Sequence, residues 1–148
     1  MDLKILNVSN NALPEYKTKD SSGLDLRAYL PDGPLTLQPG QRRVIPTGLY
    51  MEIEPGYEGQ VRPRSGRAVK QGLTVINSPG TIDADYRGEV GVPLINLSTE
   101  PQTIENGDRI AQIVFSAYEK AEITEVGAIE ELSDTERGAG GFGHTGKK

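Results

Sequence analysis

The segment TIDADYRG, residues 81–88, sets Asp83 two residues before Asp85, with Tyr86 and Arg87 directly after, bounded by Gly80 and Gly88. A hairpin tip needs turn formers, not a second carboxylate, a phenol and a guanidinium beside the first acid. A carboxylate in that place can hold a water and take its proton. A tyrosine offers a flat apolar face with a polar tip, suited to stacking on a sugar. The alternative is a solvated turn in which Asp85 and Arg87 are ion partners.

Elimination raises the weight of these acids. The only histidine is His144, close to the C-terminus, and there is no cysteine. A Ser-His-Asp triad or a His-rich metal cage in the body is therefore excluded, as are disulfides, thiolate nucleophiles and Cys-ligated zinc. A general base in the body must be a carboxylate before a lysine or tyrosine, which singles out Asp25, Asp83, Asp85 and Asp108.

Other clusters carry anion-binding chemistry. RPRSGRA, 62–68, brings Arg62, Arg64 and Ser65 to Gly66 at an expected helix start, either an anion site or an ordinary capped helix with surface arginines. In NGDRIAQI, 106–113, a strand would put Ala111, Ile113 and Phe115 on one face and Ile110, Gln112 and Val114 on the other. Gln112 is then a plain outward residue or an amide aimed at a ligand. Asp25 interrupts an apolar strand pattern, where aspartate is disfavoured. It is a surface position, a partner for an arginine, or an outer-shell ligand of a hard cation.

The tail SDTERGAGGFGHTGKK contains G-x-G-x-x-G at Gly138, Gly140 and Gly143 and most of a P-loop at Gly141, Gly146 and Lys147. Neither has the strand and helix such a loop requires. Its backbone N–H groups can still meet an anion beside Arg137, or the tail is simply a flexible glycine-rich end. Phe142, a lone aromatic among glycines, weighs for docking. Anion-binding loops, carboxylates and two aromatics together suit a nucleoside polyphosphate.

These groups must be held by strands. The 148 residues are 35% hydrophobic and 5% aromatic with 18 Gly and 10 Pro, favouring one domain of short strands and tight turns. Strands are expected at 3–8, around Leu24, Leu26 and Ala28, and through 35–53 with breaks at Pro39-Gly40 and Thr47-Gly48. Further strands are expected at 57–63, 73–77, 90–97, 109–118 and 121–127. One helix is expected over 65–72, with Ser65 as N-cap and Gly72 as its stop. The fold class is all-β: a jelly-roll-like barrel or sandwich over 1–132, followed by a flexible glycine-rich C-terminal arm, 133–148. A net charge of −5 argues against a nucleic-acid partner. The sequence has neither a signal-peptide core nor an apolar run of about 18 residues, so a cytoplasmic, non-membrane protein is expected.

SGLDLRA, RPRSGRA, GTIDADYRG, GDRIAQI and RGAGGFGHTG, in that order from Ser22 to Gly146, resemble the five motifs of the trimeric dUTP pyrophosphatases (dUTPases). The resemblance implies a jelly-roll homotrimer with active sites at subunit interfaces, closed by the C-terminal arm. It implies hydrolysis of dUTP to dUMP and pyrophosphate with Mg²⁺ on the triphosphate, which limits uracil in DNA and supplies dUMP. Asp83 matches the acid that deprotonates the attacking water, and Tyr86 the ring that leaves no room for a 2′-hydroxyl. Asn77, Thr81, Ile82 and Gly91 match the uracil-reading hairpin; Arg64, Ser65, Gly66 and Gln112 match phosphate contacts. Arg137 would hold the γ-phosphate, and Phe142 would cover the uracil. Gly143, His144 and Thr145 follow in the arm, and Asp25 matches an acid that meets the metal through water. Leu24, Ala139 and His144 depart from the commonest pattern, which puts in doubt a hydroxyl contact at 144. A dCTP deaminase would not need the arm, a nucleotide-binding scaffold would not need the acid at 83, and a plain β-sandwich would need all five matches to be accidental.

Overall fold

Alternation of apolar and polar residues, broken by glycine and proline, produces strands that bury one face and wet the other. The computed structural model describes residues 1–141. Its elements are β1 (Leu3–Asn7), β2 (Gly23–Arg27), β3 (Leu35–Leu37), β4 (Arg42–Ile45), β5 (Leu49–Ile53), β6 (Tyr57–Pro63), helix α1 (Ser65–Gln71), β7 (Leu73–Val75), β8 (Gly80–Ile82), β9 (Val92–Asn96), β10 (Gln102–Ile104) and β11 (Arg109–Ala117). A 3-10 turn, Ile129–Glu131, follows. The architecture is the expected all-β jelly-roll-like fold with one short helix.

Four antiparallel sheets enclose the core: β1-β5, β10-β3, β2-β11-β6-β8 and β4-β9-β7. In β2 the alternation is obeyed, with Leu24 and Leu26 buried and Asp25 and Arg27 on the other face. Leu37, Ile45, Met51, Ile53, Val61, Leu94 and Ile113 close the core from the other strands. Each such side chain contributes about 1.5–3 kcal/mol relative to an exposed one.

The register of the four-stranded sheet fixes where the site residues stand. Gln112 of β11 lies opposite Asp25 of β2 on one side and opposite Arg62 of β6 on the other. These three form one polar row on the outer face. A bulge between Arg109 and Ala111 departs from the simple alternation expected for β11. It buries both Ile110 and Ala111 in succession, while Gln112 keeps its place opposite Asp25.

Two expectations are corrected. Ser65 is the first helical residue and not the N-cap; Arg64 takes that place with extended backbone and no side-chain cap, because the helix starts one residue earlier than the pattern implied, directly after β6 ends at Pro63. Gly72 does end the helix, at φ 63°, a conformation that glycine alone adopts without strain. The segment 121–127 is not a strand, although its composition alternates. No strand of the described chain lies beside it, and Ile123 is 93% exposed. The three-residue strands β8 and β10 were not expected; each stands by pairing, with β6 and β3 respectively.

Candidate active site

Backbone register divides the predicted site residues into two groups. The first is the hairpin arm after β7. Along 81–85 the chain alternates, with Ile82 and Ala84 packed on the core and Thr81, Asp83 and Asp85 exposed. The alternation that anchors the arm is what points Asp83 outward. Asn77 is exposed in the turn before β8, and its side chain lies over Gly80. A cis Ser78-Pro79 bond completes that turn. Gly91 packs under Val44, whose Cγ1 lies 2.7 Å from where a Cβ would stand.

Tyr86, 44% exposed, donates its hydroxyl to the Glu89 carbonyl at 3.0 Å. A Cβ on Gly88 would collide with that hydroxyl, so glycine there is required for the ring's position. Arg87 does not pair with Asp85. Its Nη1 donates to the carbonyls of Ala84 at 2.7 Å and Tyr86 at 3.0 Å, closing the turn on itself.

The arm is bolted to the β4–β5 corner by a residue whose type gave no warning. Glu89 Oε1 accepts from the amides of Thr47 at 3.1 Å and Gly48 at 2.7 Å. The Thr47 hydroxyl donates to the Val90 carbonyl at 2.6 Å, and Val90 N donates to Leu49 O at 2.8 Å. Glu89→Ala strands two part-buried donors, and a loss of about 2 kcal/mol of stability is expected. Urea unfolding at fixed protein concentration checks this, with Glu89→Gln, which keeps an acceptor, expected to lose less.

The second group gathers where β6 runs into α1. Asp25 Oδ1 accepts from Arg64 Nε at 2.8 Å and its Oδ2 from Arg109 Nη1 at 3.1 Å. Arg67 Nε donates to the Arg109 carbonyl at 2.7 Å, and its Nη2 pairs with Asp108 Oδ2 at 2.9 Å. Asp108 also accepts from Glu105 N, so it braces the turn before β11. Gln112 Nε2 donates to Pro63 O at 3.0 Å beside these groups. Ser65 and Gly66 are exposed in the first turn of α1, whose leading amides have no carbonyl one turn earlier to meet. Three guanidiniums against two carboxylates leave this end net positive.

The two groups lie at opposite ends of β6. Ile82 pairs with Gly59, so Asp83 continues toward Glu58, whereas Arg64 follows Pro63 at the other end. Six residues of strand separate those levels, roughly 20 Å. Asp83 instead lines a groove of ≈ 900 Å³ with Asp2, Glu52, Glu58, Arg87 and Tyr118. On its wall the Lys4 ammonium, 2.7 Å from Glu52, holds that carboxyl below its usual range.

Arg137 sits in an exposed turn, its Nε donating to Gly140 O at 2.7 Å. Phe142, Gly143, His144 and Thr145 lie outside the described residues.

The dUTPase family model matches residues 9–146. The chain belongs to the dUTPase family. The deoxyuridine 5′-triphosphate nucleotidohydrolase of Finegoldia magna is 55% identical over 146 residues, 99% of each chain. That of Cytophaga hutchinsonii is 57% identical over 145 residues, 98% of this chain and 92% of its own. A mutant of the Staphylococcus bacteriophage 80alpha dUTPase with dUpNHpp superposes with a TM-score of 0.86 at 27% identity, covering 98% of both chains.

Proposed function

We propose that this member of the dUTPase family hydrolyses dUTP to dUMP and pyrophosphate, as the names of its relatives state of them. The observation that carries the reading is the outward Asp83 on a hairpin whose ring, Tyr86, is fixed by its own hydroxyl bond. Asp83 holds the water that attacks the α-phosphorus and takes its proton on the carboxylate. Asn77, with the backbone around Thr81, Ile82 and Gly91, reads the uracil edge. Tyr86 packs on the deoxyribose, and a 2′-hydroxyl has no room beside it. Tyr86→Ala is expected to lower the dUTP-over-UTP ratio of kcat/KM on the order of tenfold or more, measured with both nucleotides.

Arg64, Ser65, Gly66 and Gln112 grip the phosphates through a guanidinium, a hydroxyl, backbone amides and a side-chain amide. In a displacement of this kind, positioning and charge neutralisation supply most of the rate. Arg137 takes the γ-phosphate, and the arm, 133–148, closes over the nucleotide with Phe142 on the uracil and Gly143, His144 and Thr145 along the phosphates.

Magnesium fits this donor set as a passenger of the triphosphate. Among the described residues no three His, Cys, Asp or Glu side chains converge as a cage, whereas Mg²⁺ readily binds phosphate oxygens and keeps several waters. When bound it neutralises charge on the phosphate oxygens. Every other step belongs to the side chains named above.

The assembly is a homotrimer with its sites between subunits. Two features support that. Within one chain Asp83 and Arg64 stand at opposite ends of β6, too far apart to serve one triphosphate. The chain after β11 also runs out exposed with apolar residues uncovered, Ile123 at 93%, Ile129 at 76% and Leu132 at 59%. Among the described residues no helix is long and apolar enough to cross a membrane, and the acidic, cysteine-free sequence suits a cytoplasmic enzyme without a nucleic-acid partner. Its product feeds thymidylate synthesis, and its action keeps uracil out of DNA.

Product identification tests the reading. The protein is incubated with Mg²⁺ and dUTP, UTP, dCTP or dTTP in turn. Release of dUMP and pyrophosphate from dUTP alone is the expected result. Conversion of dCTP to a uracil nucleotide would mean a deaminase, and binding of dUTP without turnover would mean a scaffold.

A further inference from the structure

The Tyr86 ring is 44% exposed, so core packing does not fix it, and among the described residues its hydroxyl makes one bond, to the Glu89 carbonyl at 3.0 Å. That carbonyl shares a planar peptide unit with the N–H of Val90, which donates to Leu49 O at 2.8 Å. The Leu49 bond orients the plane, and the Glu89 side chain anchors the Cα at its near end. Glu89 Oε1 accepts from Thr47 and Gly48, two successive amides that form a small anion-holding nest. Gly48 shapes the nest at φ 68°, and a Cβ there would stand 2.7 Å from Ser9 Cβ, so a side chain has no place. Val90 is fully buried and its carbonyl accepts the Thr47 hydroxyl at 2.6 Å, which ties the β4–β5 corner to residues 89–90 a further time.

We propose that Glu89 is a positioning residue for sugar selection: its carboxylate, seated in the Thr47–Gly48 nest, aims its own carbonyl at the Tyr86 hydroxyl and so sets the ring that excludes a 2′-hydroxyl. This rests on the proposed dUTP-hydrolase function and on Tyr86 packing against the deoxyribose. Glu89 acts without touching the nucleotide. Refusing one extra oxygen takes a wall held to about 0.5 Å, whereas an exposed side chain changes rotamer within nanoseconds. A hydroxyl bond to a carbonyl that is itself fixed from both ends meets that demand; a bond to a loose turn does not. The nest suits a charged acceptor better than a neutral one, because two amides converge on a single oxygen. A carboxylate that only stabilised the fold would affect every nucleotide alike.

The readout is the ratio of kcat/KM for dUTP to that for UTP, measured on the full-length protein in Mg²⁺. A smaller folded fraction scales both values equally and leaves the ratio alone, so lost stability does not imitate lost selection. Glu89→Ala should lower the ratio about three- to tenfold, the size expected for one hydrogen bond, with UTP gaining relative to dUTP. Tyr86→Phe, which keeps the ring and removes the hydroxyl, should lower it by a similar factor. In the Tyr86→Phe background, Glu89→Ala should add nothing, because both changes cut the same path. Glu89→Gln keeps an acceptor for the two amides and should lower the ratio by a smaller but measurable factor, which carries the test if Glu89→Ala folds too poorly to assay. An unchanged ratio in the Glu89 variants or in Tyr86→Phe, or losses that multiply in full when combined, would overturn the proposal. Tyr86→Ala separates the two levels of the reading. If it leaves the ratio unchanged, or if the wild type does not hydrolyse dUTP, the functional reading itself fails; if it lowers the ratio and the Glu89 variants do not, only the part given to Glu89 fails.

Discussion

Asp83→Asn is expected to lower kcat for dUTP by about 10²–10⁴-fold, the range for removing a general base, with KM changed only a few-fold. The asymmetry follows from where Asp83 sits. It is exposed at the end of β8, and neither Ile82 nor Ala84, which anchor the arm in the core, is touched by the change. Asparagine keeps the size and one acceptor oxygen, so a water can still be held; what is lost is the site that receives its proton. Fold and nucleotide binding should persist, with an unchanged thermal melt and wild-type affinity for dUpNHpp. Steady-state kinetics on dUTP with product analysis makes the comparison. A variant that retains more than a tenth of wild-type kcat would mean that another group takes the proton. Asp85 is then the first to examine, since it lies two residues along on the same exposed face.

The residues of chemistry were easier to read than their arrangement. Asp83, Asp85, Tyr86 and Arg87 stand out because their types disagree with the turn around them, whereas Arg64 and Gln112 each kept an ordinary surface reading until the motifs were taken together. Asp25 stood out likewise as a mid-strand acid, and an arginine partner was one of its three readings. The strand pattern was legible wherever one face is buried: Leu24, Leu26 and Ala28 alternate because each second position meets the core. Turn chemistry placed the breaks at Gly40, Gly48 and Gly72, all at positive φ. What stayed hidden depends on long-range register. β8 and β10 are three residues each and exist only through their partners. The bulge in β11 follows from pairing with β2, not from the residues NGDRIAQI. Glu89, Arg67 and Arg109 look like ordinary surface charges until the pairing brings them to amides or to Asp25 and Asp108. Segment 121–127 shows the converse, an alternating pattern with no strand beside it in its own chain.

That register also makes the oligomer testable without a structure of it. If Asp83 and Arg64 must serve one triphosphate while lying roughly 20 Å apart on a chain, then two subunits supply them. Asp83→Asn subunits and Arg64→Ala subunits should each be nearly inactive alone. Unfolded together in equal amounts and refolded, they would form mixed trimers. A site is whole when the subunit giving the acid carries an intact Asp83 and its neighbour carries an intact Arg64. With random assembly each condition holds half the time, so about a quarter of sites, and about a quarter of wild-type activity, should return for a closed ring. A site built within one chain predicts no recovery, because every subunit in the mixture lacks one half. The refolded wild type sets the scale, and the separately refolded variants set the floor. The size of the recovery discriminates further. A value near a quarter requires that the acid and the arginine come from different subunits at every site, whereas a recovery of a few per cent would reflect exchange or contamination and would return the site to a single chain.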